Sequence, residues 1–187
     1  MSNIYSEKYI DALYGNSPIH WSTKFGKNVR LGVNVVIEKN CIIGDNTFIG
    51  HNTVLRPNTV IGKDCVIGHL TVFEGDTAIH DRVLIHSQCH ITKNTLIESD
   101  VFIAPLFCSA NTEKIVHGRD YELKILGPTI RRAARLGVGV LMLPGLEIGE
   151  NAQVGAGSLV TENVPAGQIW FGVPFRYIKN VPVDELL

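Results

Sequence analysis

The fold is decided by residues 43–68, IGDNTFIGHNTVLRPNTVIGKDCVIG, in which one pattern returns every six residues. Each repeat has a large aliphatic residue, usually followed by glycine, then an Asn or Asp two positions further on, then a small residue. A period of six fits neither an amphipathic helix nor the two-residue alternation of a hairpin. The pattern therefore predicts short strands joined by repeated turns, which stack into a parallel solenoid.

The aliphatic position extends well beyond this stretch. Every sixth residue from Phe25 to Ile103 is large and apolar, at fourteen positions in all. Asn and Asp tolerate the left-handed backbone region better than other non-glycine residues, so they suit a turn at the end of each repeat. The small residues that follow, such as Thr47 and Cys65, can point inward without overfilling the core.

The register breaks after Ile103. A second apolar series starts at Ile130, and its offset from Ile103 is not a multiple of six. Residues 109–129, SANTEKIVHGRDYELKILGPT, are therefore predicted to leave the solenoid as a loop, and long insertions in compact folds are disproportionately functional. We divide the single predicted domain, 1–187, into an N-terminal cap (1–24, with a short helix at 7–13), coils (25–108), the loop (109–129), further coils (130–173) and a C-terminal tail (174–187).

Composition excludes several classes of protein. The net charge is −1 and the pI about 6.6, so no global basic field would gather nucleic acid or anionic lipid. No apolar run approaches the roughly 18 residues of a membrane span, and no signal-peptide pattern is seen at the start, so a cytoplasmic location is expected. The four cysteines form no CxxC pair, which predicts reduced, packed thiols.

The most specific motif is the C-terminal run LPGLEIGENAQVGAGSLVTENVPAGQIWFGVPFRYI, residues 143–178. It resembles the end of the hexapeptide-repeat acyltransferases, and the repeat pattern resembles their coils. The resemblance implies an all-β left-handed parallel β-helix with three hexapeptides in each triangular coil. It also implies a homotrimer with active sites between subunits and acetyl-CoA as co-substrate. The small residues of that family let the pantetheine arm lie along an edge of the helix, which assigns cofactor binding to Gly137, Gly139, Gly155, Ala156, Ser158, Thr161, Pro174 and Arg176.

Three arginines follow the predicted loop at Arg131, Arg132 and Arg135. A guanidinium binds phosphate through two parallel hydrogen bonds, and CoA carries a 3′-phosphate and a pyrophosphate. We therefore expect Arg131 or Arg132 to lie near a phosphate of bound CoA. A solvated corner of the solenoid is the alternative interpretation.

A second resemblance covers residues 101–111, VFIAPLFCSAN. This segment is similar to one in the nucleotide-sugar N-acetyltransferases of surface-polysaccharide assembly, where a strand of this form ends in an active-site Asn. Asn111 falls on that position. The resemblance implies that the acceptor is the amino group of a nucleotide-linked sugar, and that the Asn111 amide orients the attacking group.

Histidine is the natural base near neutral pH, and three histidines are candidates. His117 lies in the predicted loop, as the base does in the galactoside and maltose O-acetyltransferases that the chain also resembles. His90 and His86 lie on the last coils before the loop. The sequence leaves open which of these acts, whether any does, and whether transfer is to nitrogen or to oxygen.

A different class of function is also open. His51 and His69 are three repeats apart and should stack in adjacent coils. Together with His86 and His90 they resemble the zinc-binding histidines of the γ-class carbonic anhydrases, which need two histidines five positions apart. Since His86 and His90 are four apart, no metal is expected. A non-catalytic trimeric scaffold is a third alternative.

Overall fold

The structure is a computed structural model that describes residues 18–186, so the predicted helix at 7–13 lies outside the described residues. Twenty-one strands of two residues each and a terminal hairpin account for its regular structure. The strands are β1 Lys24–Phe25, β2 Arg30–Leu31, β3 Val36–Ile37, β4 Ile42–Ile43, β5 Phe48–Ile49, β6 Val54–Leu55, β7 Val60–Ile61, β8 Val66–Ile67, β9 Val72–Phe73, β10 Ala78–Ile79, β11 Leu84–Ile85, β12 His90–Ile91, β13 Leu96–Ile97, β14 Phe102–Ile103, β15 Cys108–Ser109, β16 Thr129–Ile130, β17 Arg135–Leu136, β18 Leu141–Met142, β19 Glu147–Ile148, β20 Gln153–Val154, β21 Leu159–Val160, β22 Gln168–Phe171 and β23 Arg176–Asn180.

The strands form three sheets, each made of every third strand along the chain. Sheet 1 begins with β1 and sheet 3 with β3, and each has seven strands; sheet 2 begins with β2 and has nine. Strands of adjacent coils pair in parallel at a spacing of three repeats, as Ile42 does with Val60. The predicted all-β parallel β-helix is confirmed, the arrangement is consistent with the left-handed form, and no α-helix occurs within residues 18–186.

The three turns of each coil are named here by the sheets that they join. The 1–2 corner joins sheet 1 to sheet 2, the 2–3 corner joins sheet 2 to sheet 3, and the 3–1 corner leads into the next coil. The Asn and Asp residues predicted for the turns adopt φ between 45° and 66°, which confirms the turn prediction. The helix of the described residues is a single 3₁₀ turn at Val183–Glu185, and no helix within 18–186 is long and apolar enough to cross a membrane.

The core consists of the second residue of each strand. Ile43, Ile67 and Ile148 are completely buried, and so is almost every member of the two predicted aliphatic series. The small residues before the strands are also buried, as Thr47 and Cys65 are. At the far end, β22 pairs with β20 and folds back through β23, and Phe175 between them is buried against the core.

The 2–3 corner is stabilised by stacked histidines, as the spacing predicts. The rings of His51 and His69 lie 4.9 Å apart at an angle of 12°. The Nδ1 of His51 accepts a hydrogen bond from the backbone N–H of Val33 at 2.7 Å, and the Nδ1 of His69 accepts one from the N–H of His51 at 2.8 Å. Each histidine thus satisfies a turn amide of the preceding coil.

Candidate active site

Three polar side chains from three successive coils meet beside sheet 3. The Oε1 of Glu74 lies 3.0 Å from the Nε2 of His90, and the Nδ2 of Asn111 donates to the Oε2 of Glu74 at 3.2 Å. The side chains of His90 and Glu74 are 42% and 30% exposed, so the group can reach a ligand. We call Glu74, His90 and Asn111 the polar cluster.

The fold positions each member of the cluster differently. His90 is the outward residue of β12, because the next residue, Ile91, occupies the inward core position. Glu74 directly follows β9 and Asn111 comes two positions after β15, so both lie in the 3–1 corner. The repeat therefore brings together side chains that lie 16 and 37 positions apart in the chain.

The contact between Glu74 and His90 fixes which ring nitrogen is basic. A carboxylate only accepts hydrogen bonds, so in this contact the Nε2–H of His90 donates and Glu74 accepts. The neutral imidazole then keeps its lone pair on Nδ1. His90 is thereby prepared to take a proton through Nδ1.

The loop leaves the solenoid at this cluster. The backbone N–H of Leu126 donates to the carbonyl of Asn111 at 2.7 Å and closes the neck of the loop. The Nδ2 of Asn94 donates to the carbonyl of Ile125 at 3.1 Å, which fixes the returning chain. The loop comprises residues 110–128, because Ser109 ends β15 and Thr129 begins β16, which corrects the predicted bounds of 109–129; Asn111 lies at its base.

Within residues 18–186, no hydrogen bond or ion pair joins the His117 side chain to the polar cluster. Its side chain is exposed, and its carbonyl accepts a hydrogen bond from Nη1 of Arg119 at 2.9 Å. His86 is also exposed, in the 2–3 corner, with its ring edge-on to Phe102 at 5.4 Å. Of the three candidate bases, His90 is the one that contacts Glu74, which also accepts the hydrogen bond from Asn111.

Cys108 is the outward residue of β15, directly beside His90 of β12. The prediction of packed thiols holds for Cys41, Cys65 and Cys89, which are buried, but is wrong for Cys108, which is exposed. The reason is its place in the repeat, since Cys108 takes the outward strand position and the others the inward one. Partial burial, and then the charge of Glu74, raise the pKa of the Cys108 thiol.

The small residues assigned to CoA form a strip along the 2–3 corner. Gly139 and Gly157 both adopt φ of 68°, and no atom lies within 4 Å of where a Cβ would stand, so this surface is open. At Gly137 a Cβ would lie 2.5 Å from the backbone nitrogen of Ala156, so only glycine fits between the coils. His86 occupies the same corner, two coils before Gly137.

The remaining residues of that set are in three settings. Ser158 is buried, and its hydroxyl donates to the carbonyl of Gly155 at 2.6 Å and accepts from the N–H of Gly172 at 3.0 Å. Thr161 is exposed in the 3–1 corner, on the far side of sheet 3 from the strip. Pro174 and Arg176 are exposed on the terminal hairpin, where Arg176 pairs with Phe171.

Each of the three arginines after the loop forms an ion pair with at least one glutamate. Arg131 donates to Glu98 at 2.9 Å and to Glu147 at 2.6 Å. Arg132 pairs with Glu150, and Arg135 donates to Glu185 at 2.9 Å. Arg131 and Arg132 lie in the 1–2 corner, so the structure does not bring them together with the small-residue strip.

No three His, Cys, Asp or Glu side chains within residues 18–186 are grouped as a metal site would require. His86 is the first residue of the 2–3 corner, directly after β11, whereas His90 belongs to β12 at the other end of that corner. His51 and His69 stack with both Nδ1 atoms facing backbone amides.

Glu74 is the member of the cluster that sequence reasoning missed. The same position carries Glu38 and Arg56 in the two preceding coils and Thr92 in the next one, so a single Glu there attracts no attention. Counting back one full coil from Thr92 reaches Glu74, so Glu74 lies in the preceding coil and close to His90. The length of the coil would therefore have been enough to predict that the two side chains are neighbours.

Known proteins share this repeat. A sequence profile described as bacterial transferase hexapeptide (six repeats) matches residues 22–57 and 58–93. A second profile, described as hexapeptide repeat of succinyl-transferase, matches residues 134–162. Together the matched segments cover more than half of the chain.

Individual relatives match over parts of their length. A galactoside O-acetyltransferase from Lactococcus lactis is 39% identical over 64 residues, which is 34% of this chain and 30% of that protein. The matches to the curated relatives span less than half of those proteins' length.

Solved structures match over nearly the whole chain. A UDP-N-acetylglucosamine acyltransferase from Campylobacter jejuni has a TM-score of 0.66 at 16% identity and covers 88% of this chain and 73% of its own. A variant of AntD, an N-acyltransferase from Bacillus cereus solved with dTDP and coenzyme A, has a TM-score of 0.54 at 22% identity, with 96% and 91% coverage. At these identities the likeness shows the fold alone.

Proposed function

From the premise that the chain belongs to the bacterial transferase hexapeptide family, we propose that it transfers an acyl group, in the first place acetyl, from coenzyme A to a sugar. We propose the amino group of a nucleotide-linked amino sugar as the acceptor. The observation that carries this proposal is the polar cluster, in which Glu74 joins His90 to Asn111 at the base of the loop.

Each member of the cluster has a role in such a transfer. The Nδ1 of His90 receives the proton that the acceptor loses, while Glu74 holds the ring and stabilises the imidazolium that forms. Asn111 cannot take a proton, but its amide oxygen can accept a hydrogen bond from the attacking group and orient it. His90 contacts Glu74 in this structure and His117 of the same chain does not, so we propose His90 as the base.

The small-residue strip of the 2–3 corner is the proposed binding surface for CoA, which supplies the activated thioester. Gly139 and Gly157 leave backbone exposed there, and Arg176 on the hairpin forms no ion pair within the described residues. A phosphate of CoA is therefore more readily held by Arg176 than by Arg131 or Arg132. Those two would first have to release Glu98, Glu147 or Glu150.

We further propose that the protein is a homotrimer with these sites between subunits. Val66, Phe102, Leu106 and Val138 are between 38% and 50% exposed and lie together along sheet 2 and the 2–3 corner. Burying such a patch against another copy stabilises an oligomer, and the flat face of a solenoid forms a cleft only with a second surface. Light scattering tests this, and a stable monomer would contradict it.

A sugar hydroxyl is the second candidate acceptor, because the same contact between His90 and Glu74 would also supply the base that a hydroxyl requires. A hydroxyl needs a base to become nucleophilic, whereas an amine that arrives neutral does not. Release of free thiol from acetyl-CoA, measured against nucleotide-linked amino sugars, simple amino sugars and galactosides, separates the two. The proposal predicts the fastest release with a nucleotide-linked amino sugar, and no release with any sugar would contradict it.

A further inference from the structure

Beyond the polar cluster, the 3–1 corner continues over the first coils, and we call this stretch of surface, from Lys93 to Lys39, the groove. Lys39, Pro57, Gly75 and Lys93 occupy the same turn position in four successive coils. Gly75 has φ of 94°, and a Cβ there would lie 2.6 Å from the carbonyl oxygen of Pro57. The surface between Lys39 and Lys93 is therefore kept flat and free of side chains at Gly75.

The groove ends in a pocket with a mainly apolar lining. It is formed by Pro18, Ile19, Val36 and Pro57, with Glu38 and Lys39 at its polar side. Coils are spaced by about 4.8 Å, so the coil of Val36 lies about 10 Å from that of Glu74. A ligand that extends over two coils would reach from this pocket to the polar cluster.

An exposed aromatic side chain stands beside the pocket. His20 also lines it, and Trp21, the next residue, is 82% exposed with its ring 5.3 Å from that of His20. A tryptophan that is largely free of the core is a ready surface for stacking a flat aromatic ligand. This observation is independent of the charges in the groove.

Two cations, Lys39 at the pocket and Arg56 one coil nearer to the cluster, lack strong partners. Arg56 approaches Glu38 only to 4.0 Å, and both side chains are exposed, so this ion pair contributes little. Lys39 forms no ion pair within residues 18–186. Lys93, by contrast, is held by Asp76 at 2.8 Å, so that lysine and that carboxylate offset each other.

We infer that this groove holds the nucleoside diphosphate of the acceptor, an inference that rests on the proposed function. The base lies in the pocket against Trp21, and a ribose hydroxyl donates to the carboxylate of Glu38. The diphosphate lies over Pro57, flanked by Arg56 of the same coil and Lys39 of the preceding coil, and Gly75 leaves room for the linked sugar. This places the linked sugar at Glu74, His90 and Asn111.

The test uses the whole protein and measures nucleotide binding without any transfer. UDP, dTDP, GDP and CoA are each titrated by calorimetry and by tryptophan fluorescence. We expect UDP or dTDP to bind and quench fluorescence. Arg56→Ala and Lys39→Ala should each weaken that binding by about 10- to 100-fold, the value of one charge-assisted hydrogen bond. Trp21→Phe should remove most of the quenching, because the other tryptophan, Trp170, is on the terminal hairpin.

Lys63→Ala is the matched control, since Lys63 is an exposed lysine of the 1–2 corner and should leave the nucleotide affinity unchanged. The inference is overturned if no nucleoside diphosphate binds, or if the two groove variants bind it like the native protein. It is also overturned if only CoA responds to them, because the groove would then hold the 3′-phospho-ADP of CoA. Thiol release from acetyl-CoA by the native protein with an unlinked amino sugar measures the proposed function separately, because that acceptor carries no diphosphate.

Discussion

The carboxylate of Glu74 lies 3.0 Å from the Nε2 of His90, although the two residues belong to different coils and are 16 positions apart. The same carboxylate accepts a hydrogen bond from the side-chain amide of Asn111, which belongs to the coil after that of His90. One side chain therefore holds a candidate base and a candidate orienting group in register. Since all three lie where the loop leaves the solenoid, the exposed loop borders the site on one side.

Stacked histidines should stabilise the 2–3 corner through their role as hydrogen-bond acceptors. The Nδ1 of His69 satisfies the backbone N–H of His51, in the same way that Asp81 satisfies Lys63 at the 1–2 corner. We expect His69→Ala to lower the free energy of unfolding by about 1 kcal/mol, while His69→Asn, which keeps an acceptor, loses less. Urea denaturation measures both, and equal losses would show that stacking matters rather than capping.

Carboxylates of the 1–2 corner should make stability depend on acid pH. The hydrogen bond from Arg131 lowers the pKa of Glu98, and the one from Arg82 lowers the pKa of Asp100. A depressed folded-state pKa gives stability that is present above the ordinary carboxyl value of about 4 and is lost as pH falls through the folded value. Unfolding midpoints should be flat near neutral pH and fall below about pH 4. Glu98→Gln should shrink this fall, and an unchanged pH profile in that variant would contradict the assignment.

Cys108 should be the reactive thiol among the four. Cys41, Cys65 and Cys89 are buried, and burial raises the pKa of Cys89 to about 11. We expect a disulfide reagent to modify one thiol per native chain, slowly at neutral pH because the thiolate is disfavoured, and Cys108→Ser to abolish this reaction. Modification should block transfer sterically, because Cys108 adjoins His90. Fast labelling of Cys108→Ser would contradict this prediction, and a Cys108→Ser protein without activity would mean that the thiol itself reacts.

CoA affinity should depend more on Arg176 than on the arginines after the loop. Arg176→Ala should weaken CoA by about 10- to 100-fold without changing stability, since this exposed side chain has no ion pair in the described part of the chain. The double variant Arg131→Ala and Arg132→Ala should affect CoA less and lower stability, because it leaves Glu98 and Glu147 facing each other. A larger CoA loss in the double variant would restore the phosphate role that the sequence suggested.

The coils could be predicted almost completely from the sequence because the same local requirements recur in every repeat. Each inward position must be apolar and each tight turn must accept positive φ. The residue types of Ile43 and Asn46 therefore indicate a buried position and a turn. The loop was predictable for the same reason, since the repeat fails between Ile103 and Ile130. Its path was not, because no repeat constrains it.

The site was only partly predictable. Asn111 and His90 stood out by residue type and by their place before the loop. Glu74 did not, because its role depends on the geometry between coils and not on a local motif. The ion pairs of the arginines were not predictable for a related reason: their charge suggested phosphate, and the sequence alone does not show that Glu98, Glu147 and Glu150 lie close to them in the adjacent coils. The phosphate role of Arg131 and Arg132 stays a prediction.

The most direct test of the account is the rate of thiol release from acetyl-CoA by His90→Ala, with a nucleotide-linked amino sugar as acceptor and His117→Ala as the matched control. If His90 is the base held by Glu74, its loss should lower kcat by about 10²- to 10⁴-fold with little change in CoA affinity. His117→Ala should remain close to the native rate. Near-native turnover in His90→Ala, or a loss confined to His117→Ala, would contradict the assignment of the active site to Glu74, His90 and Asn111.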